Sequence, residues 1–259
     1  MPFDGGFAFV CLADEAQMAM ILSEKALAFD GIILYNRKKD VERRMTMNSA
    51  MKKRYDLLGP CVAEACRNRH FEAYYCSNRE EVLPLVLSLI PKAHTVAWGG
   101  SETLAELGVI DAVKANGYAV IDRDKAGNLE ERMHLMREAL LSDTFLMSAN
   151  AVSEDGVLVN VDGNGNRVAA MMFGPKSVIV IVGMNKVVRD TDAAVQRART
   201  LAAPMNSQRF PTLQTPCKKT GACADCKSAD CICSYVTVTR MSRPAGRIKV
   251  IFVGESLGF

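Results

Sequence analysis

Apolar positions along the chain change their period several times, and the changes delimit its elements. From Asn48 to about Arg69, Met51, Tyr55, Leu58, Val62 and Cys66 recur at helical spacing, with Asn48 or Ser49 as N-cap and Pro60 as an expected kink. Phe71 to Cys76 then reads as a strand, Asn78 caps a helix to about Ile90, and His94 to Trp98 forms the next strand. A helix starts near Ser101, Ile110 to Asn116 is helical, Ala119 to Ile121 is a strand, and Leu129 to Leu141 a helix. Strands alternating with helices in this way predict a mainly parallel sheet with helices on both faces, an α/β fold.

Beyond Leu141 the spacing tightens. Thr144 to Ala149, Gly156 to Val161 and Ser177 to Val182 are strand-like runs separated by turns rich in Gly, Asn and Asp. Asp190 to Ala202 returns to helix, and Tyr235 to Arg240 and Arg247 to Val253 are the last strand candidates. Residues 1–47 sit less comfortably with this pattern. Read as an extension, they give a strand at Phe7 to Leu12, a helix at Glu15 to Phe29 and a strand at Gly31 to Tyr35; alternatively the natural chain begins near Met45 or Met47. The expected division is therefore an extension over 1–47 and one domain over 48–259 that includes a cysteine-rich segment at 216–234.

Composition narrows the classes. With 259 residues, 49% of them hydrophobic, the chain can bury a sizeable core. A formal charge of +3 gives no strong field toward nucleic acid. The longest apolar run, Ser177 to Gly183, is far short of the roughly 20 residues that cross a bilayer. No basic stretch leads into an apolar one at the N-terminus, so the expectation is a cytoplasmic protein that binds neither nucleic acid nor membrane.

Five of the nine cysteines, Cys217, Cys223, Cys226, Cys231 and Cys233, fall within one short segment, whereas Cys11, Cys61, Cys66 and Cys76 lie among apolar neighbours and read as core residues. Thiolates so close repel unless a metal shares their charge, and the Cys223–Cys226 gap lets both sulfurs reach one centre. Lys218, Lys219 and Lys227 would favour the thiolates. An iron–sulfur cluster and zinc both use four thiolates, so spacing does not choose between them; a redox disulfide pair and a plain cysteine-rich loop are the other readings. A second feature, Gly99-Gly100-Ser101-Glu102-Thr103, joins a strand to a helix, where glycines let a ligand approach the backbone; the same residues also make an ordinary capped turn. A third is the set of polar turns that carries Glu154, Asp155, Asn166, Arg167 and Lys176, which supply acid–base groups and anion partners but equally serve as hairpin turn residues. His70, His94 and His134 are isolated, and Lys186 reads as a solvated residue after a strand.

Taken in order, Ser148 to Gly156, Val157 to Arg167, Phe173 to Lys176, Gly183 to Lys186 and the cluster Cys217 to Cys233 resemble the LUD-domain family, in particular the subgroup related to lactate-utilisation protein C. The resemblance covers roughly Asn48 to Phe259. It implies a mixed sheet like that of the ribose-5-phosphate isomerase and CoA-transferase group. It also implies a part in oxidising L-lactate to pyruvate, as an accessory or electron-transfer subunit beside iron–sulfur oxidoreductase subunits. On that footing Gly99, Gly100, Ser101, Glu154, Asn166, Arg167 and Lys176 would line one pocket for a small anionic metabolite; Glu154, Arg167 and Lys176 are the catalytic candidates by their own chemistry, the resemblance assigning no catalytic base. The five cysteines would hold an iron–sulfur cluster or zinc. The alternatives are an isomerase- or CoA-transferase-type enzyme and a zinc-stabilised binding module.

Overall fold

The computed structural model describes residues 48–259, so the expectations for 1–47, Cys11 among them, lie outside the described residues. The first helix, α1 (Ser49–Arg67), runs on through Pro60, and buries Tyr55, Val62, Ala63 and Cys66 on one face. It leads into β1 (Glu72–Cys76), after which Asn78 caps a short turn ahead of α2 (Val82–Leu89). Then come β2 (Thr95–Trp98), α3 (Glu102–Glu106), α4 (Val109–Ala115), β3 (Ala119–Ile121), α5 (Leu129–Glu138) and β4 (Thr144–Met147). With β7 (Ser177–Gly183) and β10 (Ile248–Val253), these strands form one six-stranded sheet in the order β1-β10-β7-β4-β2-β3, parallel throughout.

A parallel sheet covered on both faces needs apolar residues at every position of its central strands. All seven residues of β7 are buried. Ile179 and Ile181 join Ile251, Val253, Leu146 and Trp98 in the core under α2, α3 and α4. Their alternates Val178, Val180, Val182, Val250 and Phe252 point to the opposite face, where α1 packs along β1 and β10. Cys66 and Cys76 are buried core thiols as expected, with burial pushing them up to about 12 and about 11, but Cys61 is exposed.

A second sheet departs from the sequence reading, which leaves part of it unassigned. Here β5 (Ala151–Ser153) pairs antiparallel with β6 (Leu158–Asp162) and parallel with β8 (Val187–Val188), and β9 (Tyr235–Thr239) closes the order β8-β5-β6-β9. Strands of two or three residues carry too little period to be seen in a sequence. Gly156 makes the β5–β6 turn at φ +87°, and a Cβ there would meet the backbone of Ala65 and Cys66 at 2.8 Å. Two helices also lie where loops or shorter elements were expected. One is α6 (Asn166–Met172); the other is the run of α7 (Thr191–Arg197), a π-helical turn at Ala198–Ala202 and α8 (Ala203–Ser207), which extends past Ala202. A five-residue helix, α9 (Pro216–Thr220), opens the cysteine segment. Ala194, Ala198 and Ala203 pack on Ala151, Val159 and Val161 of the small sheet, with Cys233 against the same cluster.

Candidate functional site

Parallel strands of the large sheet end on one edge, and the residues just past their carboxyl ends line a cavity of about 520 Å³. Gly100 and Ser101 follow β2, Arg123 follows β3, Ser148 to Asn150 follow β4, and Lys186 follows β7. Open α/β sheets place ligand sites in this crevice.

The cations of the wall differ in what they already hold. Arg209 pairs with Glu102 at 3.1 Å and Arg132 with Asp124 at 3.1 Å. Both Nη groups of Arg167 are saturated. Its guanidinium donates to the carbonyls of Ser148 at 2.9 Å and Val161 at 2.7 Å, to Asn160 Oδ1 at 3.1 Å and to Asn150 Oδ1 at 2.9 Å, with Asp162 as counter-ion at 3.7 Å. Gly99 is required for this, because a Cβ there would lie 2.9 Å from the Arg167 stem. Arg167 therefore ties the β4–β5 turn to β6.

Two cations remain under-satisfied. Arg123 has a side chain only 13% exposed; Nη1 reaches no better acceptor than Met136 Sδ at 3.7 Å, and Nε has no hydrogen-bond partner, the nearest carboxylate being Asp124 at 3.7 Å. Its guanidinium occupies the space that a Cβ on Gly100 would need, at 2.6 Å. Lys186 is 3% exposed, and its Nζ donates only to hydroxyls, Thr103 Oγ1 at 2.8 Å and Ser148 Oγ at 3.1 Å. Among the described residues no carboxylate forms an ion pair with it. Burial, then the Arg197 and Arg167 charges, lower it to about 7, with Glu106 opposing. The reading of Lys186 as solvated is thus corrected: the strand it follows is central, and the 3-10 turn at Met184–Lys186 folds it back under α3.

The other expected site residues divide. Gly100, Ser101, Asn166 and Arg167 line the cavity, and Gly99 touches it through Arg167. Glu154 and Lys176 do not. Glu154 lies 3.5 Å from Arg54 on the surface, and Lys176, 79% exposed, pairs with Asp143 at 2.7 Å near the start of β4, the opposite end of the strand from the cavity. Of the three catalytic candidates only Arg167 is in the crevice, and both of its Nη groups are engaged. Arg123, Thr103 and Ser148 are not among the expected site residues, although Thr103 ends the Gly99–Thr103 turn and Ser148 opens the Ser148–Gly156 stretch; nothing in the spacing around Arg123 sets it apart.

All five clustered cysteines line a second cavity of about 360 Å³, together with Val195, Arg199, Pro204 and Val236. Burial and then the neighbouring Cys231, Cys223 and Cys217 thiols push Cys233 up to about 12. Cys217 Sγ lies 3.2 Å from Thr215 Oγ1. Lys218 turns its ammonium to the carbonyl of Phe210 at 2.6 Å. Among the described residues no three His, Cys, Asp or Glu side chains form a group that could hold a metal ion, so the thiols share a chamber but not a closed ligand cage. Four cysteine thiolates are the donor set of zinc or of an iron–sulfur cluster, and the five cysteines supply that type of donor. Cys231 and Ile232 line both cavities. No helix among the described residues is long and apolar enough to cross a membrane.

The crevice and the fold define an α/β protein with a cationic pocket at the carboxyl edge of its parallel sheet and a cysteine-lined chamber beside it. The LUD-domain model matches residues 61–253, and the chain belongs to that family, which is associated with lactate utilisation. No curated protein matches it. The crystal structure of a DUF162 family protein from Deinococcus radiodurans is similar at 11% identity and a TM-score of 0.46, covering 77% of this chain and 98% of that one.

Proposed function

We propose that the chain binds a short 2-hydroxy or 2-oxo carboxylate of the lactate and pyruvate type in the 520 Å³ cavity and serves as an accessory, electron-transferring subunit in its oxidation. The observation that carries the anion site is the pair Arg123 and Lys186 on one cavity wall: Arg123, mostly buried, reaches a carboxylate only at 3.7 Å and leaves Nε without a hydrogen bond, and Lys186, buried, is bonded to hydroxyls alone. A buried charge is costly unless paired, and a bound carboxylate supplies the missing partner. Family membership supports the substrate class.

On this reading four of Cys217, Cys223, Cys226, Cys231 and Cys233 would hold an iron–sulfur cluster, and that group would carry single electrons to and from partner oxidoreductase subunits. Cys231 brings that chamber against the anion pocket. Titration calorimetry with L-lactate and with pyruvate tests the first part: saturable binding is expected, weakened roughly tenfold or more in Arg123→Gln, the loss of about one charge-assisted hydrogen bond. Binding of neither acid, or equal binding by the variant, overturns it. Anaerobic purification with iron, sulfide and zinc assay tests the second, and a colourless protein with stoichiometric zinc refutes electron transfer.

A further inference from the structure

Lys186 is held in a way that suits a nucleophile better than a charge clamp. Lys186 is one of the residues lining the cavity, yet the bonded partners of its Nζ are two hydroxyls, which can accept from an ammonium or donate to the lone pair of a neutral amine. Both hydroxyls have further partners: Thr103 is fully buried and donates to the Leu257 carbonyl at 3.3 Å, and Ser148 Oγ lies 3.4 Å from Thr103 Oγ1 and 3.3 Å from the Ala149 carbonyl. The amine is thus held between two buried hydroxyls at a residue that is itself 3% exposed. Arg167 and Arg197 stand near it and disfavour the ammonium, while Glu106 is the opposing carboxylate. Desolvation next to other cations is a recognised way to keep a lysine nucleophilic.

We propose that Lys186 condenses reversibly with the keto carbon of a 2-oxo acid bound in the cavity, forming an imine. The inference rests on the anion-site reading above. The Nζ lone pair attacks the carbonyl carbon and the carbonyl oxygen takes up a proton, giving a carbinolamine. The C–O bond then breaks, the oxygen leaves as water with a second proton, and a C=N bond forms; amine and ketone become imine and water, with no oxidant or reductant. Thr103 and Ser148 are placed to pass the protons. Such a link distinguishes the two members of the substrate pair, because a 2-hydroxy acid has no carbonyl to condense.

The test is incubation of the full chain with pyruvate and cyanoborohydride, followed by peptide mass mapping, beside calorimetric binding of pyruvate to the same preparation. One N-(1-carboxyethyl) group is expected on Lys186, suppressed by excess L-lactate and missing in Lys186→Arg. Pyruvate binding without modification of Lys186, or modification only of surface lysines, overturns the imine and leaves the anion site standing. Absence of both binding and adduct overturns the two together. The wild-type peptide map decides the point by itself, so the test holds even where the variant misfolds.

Discussion

Replacing Lys186 by Met should change how stability depends on pH. The folded chain holds Nζ at about 7 against 10.5 for the free side chain, a depression that corresponds to roughly 5 kcal/mol. Between those values the unfolded chain binds the proton and the folded chain does not, so stability rises with pH across the window. Below about pH 7 both forms are protonated and the full cost of the buried ammonium is present; above about 10.5 it is gone. From about pH 7 to about pH 9 the native protein should thus recover about 2 kcal/mol that Lys186→Met, which has no proton to lose, does not. Thr103 keeps an acceptor in the Leu257 carbonyl and Ser148 in that of Ala149, so the variant strands neither hydroxyl. Urea unfolding of both proteins at the two pH values measures this, since every other titrating group contributes equally and cancels. Parallel pH profiles would show that the amine titrates as if in water, and the account of an unpaired buried base would fail.

Other consequences are more local. Gly156→Ala should destabilise by at least about 2 kcal/mol in urea titrations, since φ +87° disfavours any side chain and the methyl would press on the backbone of α1. Arg247 donates to the carbonyls of Pro175, Met171 and Ala170, so Arg247→Met should cost roughly 3 kcal/mol and loosen α6, seen as faster amide exchange over 166–172. If the cysteine chamber holds a cluster, Cys223→Ser combined with Cys226→Ser should abolish iron retention measured by metal assay and leave α1 to β4 unchanged in exchange protection.

The large sheet was legible because its strands obey one rule over many residues. Val178 to Val182 is an unbroken β-branched run, the composition of a short strand covered on both faces. The small sheet obeys no such rule. The two residues of β8 and the three of β5 become strands because Gly156, Arg167 and Arg197 hold their ends together, the last through the carbonyls of Asn150 and Asn185. Those partners are brought up by tertiary structure, from as far as 47 residues away, beyond what local pattern can report.

The same distinction explains which site residues could be found. Cysteines announce themselves by crowding, and Gly99 and Gly100 by their place between strand and helix. Glu154 and Lys176 also stand in polar turns, yet one turn faces Arg54 and the other lies beyond the amino end of β4. Turn chemistry is the same at both ends of a sheet, and only topology says which end carries the crevice. Lys186 hid for the opposite reason: a lysine after a strand is ordinarily solvated, and what buries this one is α3 delivering Thr103 and the β4 end delivering Ser148 to the same point. Each of the three side chains belongs to a different element of the parallel sheet's carboxyl edge, so their meeting is a property of strand order β7-β4-β2, in which those elements are neighbours. A sequence signal for the site would have to be read across that order rather than along the chain.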